Sequence, residues 1–109
     1  MDNTAIIPNK ETALEIIGQM RDALQKYGVN PCQIALFGSF LHGNTHSESD
    51  IDMIIISNSF KGKDISKRIN MTIKAQSEVR KRYVVPMDIL LKTPEEYENQ
   101  TYFESKIII

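Results

Sequence analysis

The chain has 109 residues, with 13 Lys and Arg against 14 Asp and Glu, a net charge of −1. It is sized for one hydrophobic core and has no surplus charge for gripping polyanions indiscriminately. Its 41% hydrophobic and 25% charged residues, with five glycines and four prolines, exclude a disordered tail, and its single cysteine, Cys32, excludes an internal disulfide and suits a reducing cytoplasm.

Residues 1–9 read as a loose lead-in to a single domain spanning 1–109, with no basic and apolar opening of the kind a secretory leader has. Thr12 and Glu15 have the spacing of a capping box. From there Ala13, Ile16, Ile17, Met20, Leu24 and Tyr27 recur at helical spacing, and Gly28 offers the stop. Gln33–Phe37 reads as a short buried strand ending at Gly38, and a polar, turn-rich stretch follows from Gly43 to Ser49. Asp50–Ser57, rich in isoleucine, reads as a second strand. Asp64–Arg82 reads as a helix with Ile65, Ile69, Ile73, Gln76 and Val79 on its inner face. Val84–Leu91 reads as a third strand, placed at an edge because Pro86 cannot donate to a ladder. Thr93 caps a last helix with Pro94 in its first position. The order predicts an α/β fold, a small sheet of about three strands packed with helices (αβαβαβα). The apolar runs Met53–Ile56 and Ile107–Ile109 are too short to span a bilayer. Three closing isoleucines call for cover, from the core, from another chain or as a fourth strand.

Charge is uneven along the chain. Lys61–Arg82 holds Lys61, Lys63, Lys67, Arg68, Lys74, Arg80, Lys81 and Arg82 against Asp64 and Glu78. That is either a solvated helix face or a basic surface for a polyphosphate or an acidic partner.

Chemistry concentrates in Phe37-Gly38-Ser39, ten residues, then Asp50-Ile51-Asp52. Two acids two apart on a strand project to one face, and beside isoleucines their mutual repulsion asks for a cation. Mg²⁺ fits, because it takes one or two carboxylates together with substrate phosphates, and a two-ion arrangement can serve both attacking and leaving oxygens. Gly38 lets the backbone approach a phosphate closely, while the Ser39 hydroxyl and the following amides donate to its oxygens. Asp88, a lone acid in an apolar strand, joins the other two if its strand lies beside theirs, as a metal ligand and as a base for an incoming hydroxyl. Each piece alone has a bland reading as a turn, a solvated strand or an edge gatekeeper; their order and placement carry the inference.

Gly38-Ser39-x₁₀-Asp50-x-Asp52, with its Ser49-Asp50-Ile51-Asp52 run, resembles the signature of the nucleotidyltransferase superfamily typified by DNA polymerase β, and most nearly its minimal prokaryotic members. The resemblance covers about Ile34–Glu96. It implies a mixed-sheet nucleotidyltransferase fold and transfer of a nucleoside monophosphate, AMP from ATP or its equivalent from another NTP, dependent on two Mg²⁺ ions. It also makes Gly38 and Ser39 triphosphate-binding, and Asp50, Asp52 and Asp88 metal-binding and catalytic. Short members of this kind accompany a helical HEPN-type toxin as its antitoxin, adding AMP to a tyrosine, so the resemblance implies a cytoplasmic protein with such a partner, in a homo- or hetero-oligomer. No template nucleic acid and no membrane are expected.

Relatives carry arginines where this chain has Phe40-Leu41-His42, and His42, more weakly His46, could stand in for them at the phosphates. Two alternatives stay open: a silent interaction module that masks its partner, and one subunit of a two-component modifier of a small molecule such as an antibiotic.

Overall fold

The structure, a computed structural model, describes residues 9–30, 32–42, 50–99 and 104–109. Helix α1 (Lys10–Lys26) is followed by β1 (Cys32–Phe37), the short α2 (Ser39–His42), β2 (Ile51–Ser57), a 3₁₀ turn (Asn58–Phe60), α3 (Ile65–Arg80), β3 (Met87–Lys92), α4 (Pro94–Asn99) and β4 (Ser105–Ile107). The four strands form one mixed sheet in the order β3-β2-β1-β4. β1 runs antiparallel to both β2 and β4, whereas β2 and β3 are parallel, α3 making the crossover. The expected α/β class and mixed sheet are therefore present, with one strand more than the sequence reading counted. That strand is the apolar tail: Ile108 and Ile109 pack against the core, while Ile107 stays exposed.

The period of two sorts the sheet residues between two layers. Ile34 and Leu36 of β1, Ile51, Met53 and Ile55 of β2, and Met87 and Leu91 of β3 pack with Ile16, Ile17, Met20 and Leu24 of α1 and Ala75 and Val79 of α3. The opposite face carries Ala35, Ile54 and Ile56, covered by Phe37, Leu90 and Tyr97 of α4.

Several boundaries move for identifiable reasons. Asn9, not Thr12, caps α1: its side chain accepts from the Thr12 amide at 2.9 Å, and Glu15 instead accepts from the Tyr83 hydroxyl at 2.5 Å. At the other end Gly28 does take a left-handed φ of +89°, letting the Val29 amide reach the Leu24 carbonyl at 2.9 Å. Asp64 is the cap of α3, not its first residue. β3 starts only after Pro86, and is indeed an edge strand. The reciprocal capping box forms at α4, where the Glu96 amide donates to Thr93 Oγ1 and the Thr93 amide donates to the Glu96 carboxylate at 2.8 Å.

The largest departure is the face of α3. Thr72, Ala75, Gln76 and Val79 point inward, while Ile65, Ile69 and Ile73 are 60%, 43% and 46% exposed. Two arginines on this helix account for its rotation. Because the Pro86 carbonyl accepts from the Ile51 amide of β2, the Met87 and Leu91 carbonyls point away from β2. Arg80 donates to the first at 3.2 Å and Arg68 to the second at 3.1 Å. Thr72 and Gln76 are affordable inside because Thr72 donates to the Arg68 carbonyl and Gln76 to Thr72.

Arg68 is the most connected of these side chains. It also donates to the Lys63 carbonyl at 2.8 Å and to both Glu96 oxygens, at 2.6 and 3.2 Å. Arg68→Ala should therefore lower unfolding stability by about 2 kcal/mol in urea titration, since it removes the donor from the Leu91 and Lys63 carbonyls and the cation from Glu96. A loss no larger than that of an exposed helix arginine would show that α4 docks without it.

Candidate active site

The acids and the glycine-serine step come together at one end of the sheet, on the face opposite α1 and α3. Parallel pairing sets Asp52, second residue of β2, directly against Asp88, second residue of β3, and antiparallel pairing sets Phe37 on the other side of Asp52. The next row on this face is Ala35, Ile54 and Leu90. A row of carboxylates thus borders an apolar floor, with Tyr97 of α4 spanning it to hydrogen-bond Ser105 of β4 at 2.8 Å. Asp50 stands just before β2, exposed at the mouth.

Gly38 closes β1 with a left-handed φ of +76°, and a Cβ there would lie 2.1 Å from the Asp52 carboxylate. The turn thus needs glycine twice over, for its backbone angle and for the passage of the Asp52 side chain. Ser39 opens α2, half-buried. His42 ends α2 and meets the exposed Glu104 at 3.4 Å rather than an acid of the site. Gly43, His46 and Ser49 lie outside the described residues.

Burial, then Asp88 and Asp50, push the Asp52 carboxyl up to about 6. A charge at this position is costly because the group is partly withdrawn from water and stands beside two other carboxylates. Among the described residues no three carboxylate, histidine or cysteine side chains are close enough to hold a metal as a ready-made set. What the structure brings together is the Asp52–Asp88 pair, with Asp50 near enough for its charge to act. A pair of hard oxygen donors fits Mg²⁺, whose remaining positions are filled by water and substrate phosphate.

The basic segment divides. Lys61 pairs with Glu95, Arg68 with Glu96 and Arg82 with Glu78, so three of its charges are neutralised within the fold. Sequence reasoning missed Phe37 and Leu90 as neighbours of the acids, and Tyr97 as cover for the apolar floor beside them. Strand alternation around Asp52 and Asp88 could have found Leu90, but the place of Tyr97 depends on how α4 returns over the sheet.

The nucleotidyltransferase domain profile matches residues 17–109, which contain this whole arrangement. The chain belongs to the nucleotidyltransferase domain family. Fold comparison agrees: a crystal structure from Sulfolobus solfataricus, described as a candidate nucleotidyltransferase, is similar over 90% of this chain and 80% of its own, with TM-score 0.69 and 15% identity. A second candidate nucleotidyltransferase of known structure covers 85% of this chain and 97% of its own, with TM-score 0.55 and 18% identity. BolA1 from Arabidopsis thaliana is similar over 74% of this chain and 94% of its own, with TM-score 0.51 and 26% identity. No curated protein matches the sequence. Nucleotidyltransferase domains generally act on a nucleoside triphosphate with a divalent metal. Among the described residues no helix is long and apolar enough to cross a membrane.

Proposed function

We propose that the protein is an active, Mg²⁺-dependent nucleotidyltransferase that moves AMP from ATP to the hydroxyl of a tyrosine on a helical HEPN-type partner in the cytoplasm, as an antitoxin does. The observation that carries the enzymatic part is the direct register of Asp52 with Asp88 beside Gly38. A module that merely masked its partner would gain nothing from a carboxyl that burial, and then Asp88 and Asp50, push up to about 6.

In this reading Asp50, Asp52 and Asp88 are the metal-binding and catalytic acids. Bound Mg²⁺ would neutralise charge on the triphosphate and on the departing pyrophosphate. Gly38 and Ser39 would receive the triphosphate, with the Ser39 hydroxyl donating to a phosphate oxygen. The acceptor oxygen forms its new bond to the α-phosphorus as the bond to pyrophosphate breaks, and Asp88, exposed at the edge, takes the hydroxyl proton. The protein's contribution is chiefly orientation and charge placement. Phe37 and Leu90 provide an apolar surface beside the acids for the uncharged parts of the reactants.

Calorimetric titration with ATP and Mg²⁺ tests the site. Wild type should bind ATP only with the metal present, and Asp50→Ala/Asp52→Ala should abolish binding. An inert wild type would overturn the enzymatic reading. Mass spectrometry of the co-expressed partner, seeking an AMP adduct on tyrosine, then tests the acceptor independently.

A further inference from the structure

The layer opposite the acids carries a surface that nucleotidyl transfer does not use. Ile65, Ile69 and Ile73 stand four apart on α3, so they form a continuous stripe along one side of the helix. All three are exposed, Ile65 the most. Lys67, Lys74 and Lys81 recur at intervals of seven, a second row along the solvent side of the same helix and its cap. All three are exposed, and among the described residues none makes an ion pair. The two rows converge at a recess of about 290 Å³ lined by Tyr27, Ile73, Lys74, Ser77, Glu78 and Lys81.

We infer that this face of α3 docks an acidic amphipathic helix of another protein, whose apolar stripe covers the three isoleucines while its carboxylates meet the lysine row. Charge favours this occupant over a second copy packed antiparallel. Two copies packed antiparallel through the isoleucines bring their lysine rows to the same side of the seam, where like charges repel. A nucleic acid would satisfy the lysines but leave the isoleucines wet, and the isoleucine stripe is what needs an explanation. The helix-in-groove mode, with apolar anchors one turn apart and a charged flank, matches the spacing observed. The inference does not depend on the transfer reaction, because the surface lies across the core from Asp52 and Asp88.

The test uses the full chain and a synthetic helical peptide with leucines along one side and glutamates flanking them. Its lysine-flanked isomer and a scrambled glutamate peptide are the controls. In isotope-labelled wild type the glutamate peptide should shift the amides of α3 and the C-terminal end of α1, with binding that weakens as salt rises. Ile69→Ser should weaken it by about tenfold, and Lys67→Glu/Lys74→Glu/Lys81→Glu should exchange its preference for that of the lysine-flanked isomer. All these positions are exposed, so thermal melts should show the variants folded. Equal binding of the two isomers, shifts confined to the sheet, or a wild-type dimer that Ile69→Ser makes monomeric would each overturn the inference.

Discussion

Gly38→Ala is expected to destabilise the domain by about 3 kcal/mol and to abolish metal-dependent ATP binding. Two costs combine. A side chain at φ +76° is strained, by about 1 kcal/mol. The remainder comes from a Cβ placed 2.1 Å from Asp52 Oδ2, a contact that only a shift of strand or carboxylate relieves. Gly28→Ala separates the two, because Gly28 has φ +89° with nothing within 4 Å of its would-be Cβ. It should lose only the backbone part and bind nucleotide as wild type does. Urea unfolding of both variants decides the matter. Equal losses would mean that Asp52 does not rely on the missing side chain at Gly38.

The second large effect has opposite signs for stability and activity. Asp52→Asn should reduce nucleotidyl transfer by about a thousandfold or more, since it removes a charged oxygen donor from the centre of the acid row. The same change should stabilise the fold at pH 8, by about 1 kcal/mol once solvent screening is allowed for. The sign follows from linkage. Asp52 has a folded pKa of about 6, above its ordinary 3.8, so the folded state binds that proton more tightly than the unfolded chain does. The stability it brings is complete below 3.8 and is lost as pH rises through 6. Wild-type stability should therefore increase as pH falls from 8 to 5, and the Asp52→Asn variant should lack that rise. Below about 4.5 both proteins should weaken, because Glu96 is held down to about 2, first by Arg68 and then by the Thr93 amide. Its contribution is present above its ordinary pKa of 4.5 and is lost as pH falls towards 2. Thermal melts across this range, with and without Mg²⁺, measure both windows. A wild-type curve flat between pH 8 and 5 would show that neither burial nor the neighbouring acids raise the Asp52 carboxyl.

The residues that could be read from sequence are those whose signals are local. Gly28 as a stop, Thr93 and Pro94 at the start of α4, and the edge position implied by Pro86 each follow from one residue's backbone chemistry. Strand alternation predicted Asp50 and Asp52 on one face; the structure sets Asp52 in register with Asp88, while Asp50 precedes β2, which starts one residue later than the sequence reading placed it. The failures involve competition between equally good local signals, or partners distant in sequence. Asn9 and Thr12 both suit a helix cap, and nothing local chooses between them. The isoleucines of α3 satisfied the helical period, yet the face turned inward is the one from which Arg68 and Arg80 reach β3. The tail became β4 because β1 had a free edge, which its own residues do not announce. Asp88 lay between these cases: its oddity in an apolar strand was visible, but its register against Asp52 required the fold.

The two arginine contacts to β3 bear on how the protein behaves at high concentration. An edge strand ordinarily offers its outward carbonyls as a template on which another chain can zip, the first step towards aggregation. Here the Met87 and Leu91 carbonyls, near the two ends of that edge, are already occupied by guanidinium groups from α3. An intruding strand must first displace charged donors anchored in the native structure, so the sheet is blunted against self-extension on the side that carries Asp88.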